Sequence, residues 1–272
     1  MGEWKDLAPS PVSPKGKLRE LYEYRNVLRS LVEKGLFGRY RNSFLGFAWH
    51  FAMPMVYIGV CFFIYSESER DIEDYWAFVA TGILAFHMLT SSVAGGTTCF
   101  TGNSGILKKM YLPREILVIS KATVSIVVML IGYVVVIALM ATVGYPLNPV
   151  VMLLMIPLVV ALYFFCIGCM LALSSIAVYV RDLQYLLGSL GIAFFVFSPI
   201  RYMAETASGI RASVLWMNPF TYYLESFHSI LYAGEVPDLP VYGACFLLAV
   251  VAMVIGYLVF NKLKSGFVER LR

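Results

Sequence analysis

The chain has 272 residues, 60% of them hydrophobic and only 14% charged, with a net charge of +4. That composition excludes an ordinary soluble domain, which has no need to gather its apolar residues into long blocks. The small positive charge reflects where Lys and Arg fall between those blocks and gives no indication of nucleic acid.

Residues 1–17 carry a Pro/Ser/Lys-rich stretch, Pro9 to Lys17, and read as a flexible cytoplasmic N-terminus. They lack the short apolar core and small-residue cleavage site of a signal peptide, so the first long apolar block is expected to be the first membrane signal. Residues 18–43 predict an amphipathic helix at the membrane interface. Leu21, Tyr24, Leu28, Leu31, Val32 and Gly35 recur near helical spacing, and Arg19, Arg25, Arg29 and Lys34 occupy the remaining surface. The pattern fits a passive anchor and a partner-contacting element equally. Gly35 and Gly38 should interrupt this helix, leaving Arg39, Tyr40 and Arg41 at an elbow before the first crossing.

A membrane-crossing helix needs about 20 mostly apolar residues. Six blocks within 44–262 meet or approach that length: Phe44–Tyr65, Trp76–Ala94, Ile116–Val143, Val150–Val180, Leu183–Ile200 and Val241–Phe260. Val150–Val180 exceeds one crossing and should tilt or project into the cytoplasm. Leu183–Ile200 ends in Ser198-Pro199 and is the span expected to break early. The expected fold is therefore all-α, a polytopic membrane protein with six transmembrane helices. Eighteen of the 21 Lys and Arg residues lie in the two terminal segments, in the second and fourth connections or, for Lys121, just inside the third block; only Arg70, Arg201 and Arg211 lie opposite. The positive-inside rule then places both termini, including the tail 263–272, in the cytoplasm and turns the acidic 66–74 connection outward.

The second connection, Thr101 to Glu115, is compact and basic. It reads as a short helix, Ser104 to Leu112, closed by Pro113 and displaying Lys108, Lys109 and Arg114 as a handle for another protein. Arg181 and Asp182 occupy the tight turn between the fourth and fifth blocks, either as an intrahelical or cross-subunit ion pair or as a cytoplasmic gate. Ile200 to Pro240 is the longest outward connection, yet Trp216, Phe220, Tyr222, Tyr223, Leu224 and Phe227 make it strongly aromatic. Pro219 suits the first turn of a helix capped by Asn218. Short re-entrant helices are expected there, shielded by protein or lining an aqueous cavity. Arg201, Glu205, Arg211 and Glu225 would then form ion pairs or meet a lipid phosphate or sugar. Sugar rings stack their C–H faces on aromatic rings, so Tyr163, Phe164, Phe165, Phe194, Phe195, Phe197, Tyr202 and Tyr222 are candidates for a pathway wall. Ordinary helix packing accounts for each of them singly as well.

Several chemistries are missing. The only Gly-Lys pair, Gly16-Lys17, is followed by Leu18, so no phosphate loop is present. His50, His87 and His228 have no metal-ligand spacing, and no nucleophile elbow or acid pair occurs. The five cysteines lie in or beside apolar runs, and Cys166-Ile-Gly-Cys169 reads as small hydrophobes within a helix. Lys121, near the cytoplasmic end of its block, is expected to snorkel to the headgroups. Any uphill transport must draw its energy from elsewhere.

These segments, in order, carry a resemblance. Arg39-Tyr-Arg-Asn-Ser-Phe-Leu-Gly-Phe-Ala-Trp49 follows the amphipathic helix, and Met53-Pro54 lies in the first block. Gly102-Asn103 then leads into Ile106-Leu-Lys-Lys-Met-Tyr-Leu-Pro-Arg-Glu-Ile116, followed by Tyr179-Val-Arg-Asp-Leu183, Phe197-Ser-Pro199 and Asn218-Pro-Phe-Thr-Tyr222. From about Leu18 to Leu271 the chain resembles the permease subunit of a type-2 ABC transporter, of the branch exporting bacterial polysaccharides such as lipid-linked O antigen. The resemblance implies a homodimer in the bacterial inner membrane, joined to two separate ABC ATPase subunits that bind the ATP and Mg; the chain itself would hold no cofactor and no metal. It implies that lipid-linked glycan passes between the two copies. It places the ATPase-coupling element on Ile106, Lys108, Lys109, Met110, Tyr111, Leu112, Pro113, Arg114 and Glu115, and the outward exit by Arg201, Glu205, Arg211, Asn218, Pro219 and Glu225. The short 66–75 connection looks more like the O-antigen type than teichoic acid or capsule exporters. A drug or glycolipid exporter of the same fold stays open, as does a membrane-embedded glycosyl- or acyltransferase, although no polar active site supports the last.

Overall fold

A computed structural model describes residues 14–38, 48–65, 72–103, 105, 107 and 112–267. Among them the chain is helical, with no β-strand. Two short helices, α1 (Pro14–Glu23) and α2 (Arg25–Phe37), precede α3 (Trp49–Tyr65) and α4 (Tyr75–Thr97). The long α5 (Arg114–Val143) is followed by one turn, α6 (Pro149–Met152), that leads into α7 (Met155–Tyr179). Then come α8 (Leu183–Val196), α9 (Gly209–Met217), α10 (Pro219–Phe227) and α11 (Leu239–Leu263).

Four segments among the described residues are long and apolar enough to cross a bilayer: Tyr75–Thr97, Arg114–Val143, Pro149–Tyr179 and Leu239–Leu263. The other two expected spans are shorter. Helix α3 has 17 described residues and α8 has 14, about 25 and 21 Å at 1.5 Å per residue, against a hydrocarbon core of about 30 Å. Residues 44–47 of the first block lie outside the described residues. The fifth block stops at Val196, two residues before Ser198-Pro199, as its sequence foreshadowed. The fourth block is interrupted by a turn at Leu153-Leu154, between α6 and α7.

Helices α7 and α11 make the most extensive pairing in the molecule; α4 packs on both α7 and α5, and α3 leans on α4. The α7–α11 crossing is backbone against backbone. A Cβ placed on Gly256 would run into the carbonyl of Gly168, and one placed on Gly168 would run into the Ala252–Met253 peptide. Lipid offers apolar surfaces as good as leucine does, so helix association in a bilayer relies on such close approach. The main core gathers along α4, α5, α7, α10 and α11, with Tyr133, Tyr223 and Phe227 fully buried. Tyr133 satisfies its buried hydroxyl by donating to the Thr81 carbonyl at 2.8 Å.

Helix α2 packs along α5 rather than lying apart from the helical body. Leu21, Tyr24, Val27, Leu28 and Leu31 rest against a second core, and a Cβ on Gly35 would meet Val124 Cγ2 at 2.6 Å. The apolar stripe thus faces protein, and Gly35 serves that approach instead of breaking the helix. On the opposite face Arg19–Glu23 (3.3 Å) and Arg29–Glu33 (2.9 Å) form exposed i,i+4 ion pairs, each worth only a few tenths of a kcal/mol at about this exposure. The elbow residues Arg39, Tyr40 and Arg41 lie outside the described residues.

Candidate functional site

Two ends of the helical body are defined by which helix termini meet there. At one end gather the end of α4, the start of α5, the end of α7, the end of α11 and the apolar side of α2. Their shared core holds Cys99, Phe100, Leu112, Ile116, Leu117, Phe260 and Phe267. Of the expected coupling residues, Leu112, Pro113, Arg114 and Glu115 are described; Ile106, Lys108, Lys109, Met110 and Tyr111 lie outside the described residues, while Gly105 and Leu107 are helical. Both margins of the segment are anchored. On the near side Lys121 reaches from α5 to the last turn of α4, donating to the Gly95 carbonyl at 2.9 Å and to Thr98 Oγ1 at 3.0 Å. It thus answers the exposed carbonyl end of a helix with a cation, a favourable pairing with the helix dipole. The snorkelling expected for Lys121 is replaced by this intramolecular cap.

The chain then makes a turn at Thr101–Asn103, where Asn103 Nδ2 donates to the Cys99 carbonyl at 2.8 Å. Phe100 is fully buried, its ring 5.4 Å from Phe267 and 6.2 Å from Phe260. Burial pushes the Cys99 thiol up to about 11, against the opposing pull of Lys121, so it stays protonated and packs as a small apolar group. On the far side Arg114 donates to the Lys264 carbonyl at 2.7 Å and lies over the Phe267 ring at 4.9 Å. Tyr179 at the end of α7 donates to the Leu263 carbonyl at 2.8 Å. Immediately beyond it, Val178–Asp182 line an open recess of about 470 Å³. Arg181 and Asp182 are both exposed and form no ion pair among the described residues of the single chain.

Between the two ends lies a cavity of about 370 Å³, walled by Tyr57 of α3, Ile83, Phe86, His87 and Thr90 of α4, and Gly188, Gly191, Ile192 and Phe195 of α8. Aromatic faces, two small residues and a few polar groups share one concave surface, the composition of a small-molecule pocket. Of the eight aromatic candidates, Phe195 is the one on this wall. Phe165 is buried against Phe220 and Tyr223, and Phe194 sits 5.1 Å from Phe220. Tyr163 shares a 2.8 Å hydrogen bond with Thr123, Tyr222 packs on Trp216 at 5.4 Å, and Phe164 and Phe197 face outward from the single chain. Tyr57, Phe86, His87 and Thr90 were missed by the sequence reading; the Gly188-x-x-Gly191 spacing on α8 was the one available hint.

At the other end, Asn218 Oδ1 accepts from the Phe220 N–H at 3.0 Å with Pro219 in the first turn of α10. Asn218 Nδ2 also donates to Ser198 Oγ at 2.9 Å, joining the Asn-Pro and Phe-Ser-Pro segments. Tyr75 donates to the Arg201 carbonyl, Tyr232 to that of Glu73, Tyr145 to that of Tyr232 and Tyr242 to that of Leu154. This end is therefore laced by tyrosine hydroxyls that each tie one connection to another. Arg201, Glu205, Arg211 and Glu225 form no ion pair among the described residues. Among the described residues no group of His, Cys, Asp or Glu is arranged to hold a metal ion.

The model of the ABC-2 type transporter family matches residues 26–232, three quarters of the chain. The chain belongs to the ABC-2 type transporter family. Curated relatives match nearly end to end. The O-antigen export system permease protein RfbA of Myxococcus xanthus is 29% identical over 260 residues, covering 93% of this chain and 98% of the relative. A protein of the same name from Klebsiella pneumoniae is 26% identical over 258 residues, covering 90% and 95%; a second from that organism is 26% identical over 250 residues.

In this ABC-2 transporter chain one titratable group at the tyrosine-laced end is set to respond near neutral pH. Burial, with help from Glu205 and Asp238, pushes the Glu225 carboxyl up to about 7. A carboxyl raised in the folded state favours folding in its neutral form. Its contribution is complete below the unfolded value of 4.5 and is lost as pH rises through about 7. Glu225→Gln, permanently neutral, should therefore be more stable than wild type at pH 8, by on the order of 2 kcal/mol, and equal to it near pH 4.5. Thermal melts in detergent at the two pH values check this; a constant gap between the proteins would refute it.

Proposed function

We propose that this chain is the membrane permease subunit of an ABC exporter that moves lipid-linked polysaccharide of the O-antigen type across the bacterial inner membrane. What carries the proposal is end-to-end similarity to three permeases named for O-antigen export, each covered to 95% or more of its own length. In this reading two copies face each other and two separate ATPase subunits bind ATP and Mg and supply the energy. The chain crosses six times with both termini cytoplasmic, α3 and α8 completing their crossings with flanking residues. Helices α9 and α10 re-enter from the outer side and border the exit. The anchored end is then the cytoplasmic one. Its 101–115 segment is the element the ATPases grip, Arg39-Tyr40-Arg41 forms the elbow before the first crossing, and Arg181-Asp182 stands beside the recess where the lipid head enters. The α3–α4–α8 cavity contributes to the path between the two copies.

Two measurements test this. Deleting the chain should make a lipid-linked polysaccharide accumulate in the cytoplasmic leaflet; accumulation of no glycan would overturn the assignment of cargo. Replacing Lys108 and Lys109 together by Glu should lower export and ATPase stimulation by about tenfold or more, because charge reversal at a docking surface repels its partner. Unchanged export in that variant would remove the 101–115 segment from the coupling role.

A further inference from the structure

Arg201 and Arg211 both lie against a single ring. The Arg201 guanidinium carbon lies 5.4 Å from the centroid of Tyr202 and 4.8 Å from that of Tyr65, and Arg211 lies 4.3 Å from the Tyr202 centroid. Tyr202 itself is only 2% exposed, fixed by packing against Ala204 and Leu215 and by its hydroxyl donating to the Val196 carbonyl. Sharing one ring keeps the two guanidiniums within roughly 10 Å of each other, inside the span of a single phosphate or pyrophosphate group and its ester oxygens.

Three observations set this pair apart from ordinary surface arginines. First, neither makes an ion pair among the described residues, although Glu205 and Glu225 belong to the same connection. Second, the acids cluster with one another. Glu225 is raised by Glu205 and Asp238, and neither arginine offsets them. Among the described residues the charges of this end are segregated by sign, an arrangement that self-repulsion disfavours unless a ligand relieves it. Third, Arg211 lies in the first turn of α9, whose Ser208 cap supplies no side-chain hydrogen bond. A cation at the positive end of a helix suits an anion bound between them, and stacking on an aromatic face leaves the guanidinium forks free to donate.

We propose that Arg201, Tyr202 and Arg211 form a receptor for the phosphate of a lipid at this end of the molecule. Tyr202 serves as the rigid wall and the two guanidiniums as the donors. The placement of this end in the outer leaflet rests on the exporter reading above; the binding site itself does not. Two sources share the chemistry: the pyrophosphate of a polyprenyl carrier and the headgroup phosphate of a phospholipid.

The test uses the purified, delipidated full chain in detergent and native mass spectrometry of retained lipid. The probes are phosphatidic acid against diacylglycerol of the same acyl chains, and farnesyl pyrophosphate against farnesol. The wild type should retain both phosphorylated lipids over their phosphate-free counterparts. Arg201→Gln with Arg211→Gln should cut that retention about tenfold and leave diacylglycerol and farnesol unchanged. Arg211→Lys should fall between, since lysine keeps the charge but not the fork. Arg211 is exposed and Arg201 half-buried, so the double variant should keep its thermal midpoint, which the same preparation reports. Arg29→Gln, at the other end of the molecule, controls for overall charge. In direct competition, preference for farnesyl pyrophosphate identifies a carrier pyrophosphate and equal retention identifies a headgroup phosphate; either outcome sustains the site. Wild-type retention by the double variant, an equal loss in Arg29→Gln, or equal retention of diacylglycerol would each overturn it. Because the assay reads no export, it stands or falls independently of which cargo accumulates on deletion.

Discussion

Gly256→Val should be the most damaging single substitution in this protein. The α7–α11 pair is the most extensive in the fold and its helices touch through the backbone at Gly168 and Gly256. Even the first carbon of a side chain on Gly256 meets the Gly168 carbonyl, and neither backbone can yield as a flexible side chain would. Valine forces the helices apart along their length and forfeits the close packing on which association in lipid depends. The expected loss is about 3 kcal/mol, the upper end of the range for overpacking, read as a lowered thermal midpoint in detergent. Gly243→Ala supplies the control within the same helix. Nothing lies within 4 Å of a Cβ there, so the change should be neutral or stabilising by up to about 1 kcal/mol through helix propensity. Equal midpoints for Gly256→Val and wild type would show that the helices do not cross at these glycines.

Lys121→Met should do most to separate folding from transport. The lysine's two bonds close the end of α4, and without them the Gly95 carbonyl and Thr98 hydroxyl lose a charged donor at a site worth about 1.5–3 kcal/mol. Methionine preserves the length and apolar stem, so, on the exporter reading proposed above, the chain should still reach the membrane and retain its ATPase partners. The start of the 101–115 segment, which has the coupling role in that reading, however, loses its fixed origin on α4. Export should fall about tenfold while co-purification of the ATPases is unchanged, with partial recovery in Lys121→Arg. A merely structural lysine would instead lower membrane abundance and export in proportion, which quantitative blotting distinguishes.

The long helices were legible because lipid imposes so plain a code. A run such as Ile116–Val143 or Val241–Phe260 has little else it can become, and helices occupy both. The Asn218-Pro219 start was legible too, since capping is local chemistry. What escaped depends on encounters between distant segments. Nothing near Lys121 announces the end of α4, 23 residues away, as its partner. Nothing in the spacing of Tyr57, His87 and Thr90 announces that they share a cavity with Gly188 and Gly191. The aromatic candidates divide by packing within the single chain: Phe165, Phe194 and Tyr222 are engaged with Phe220, Tyr223 and Trp216, whereas Phe195 lines the cavity. Hydropathy identifies the rings that leave water; it does not distinguish a neighbouring helix from a passing substrate.

The bond from Arg114 to the Lys264 carbonyl, with Phe267 lodged between Phe100 and Tyr179, has a practical consequence for anyone labelling this protein. A fluorophore or affinity tag attached a few residues beyond Phe267 would be tethered beside the 101–115 segment. There, on the exporter reading proposed above, it would report on ATPase docking at short range, and a bulky tag would obstruct the docking it was meant to observe.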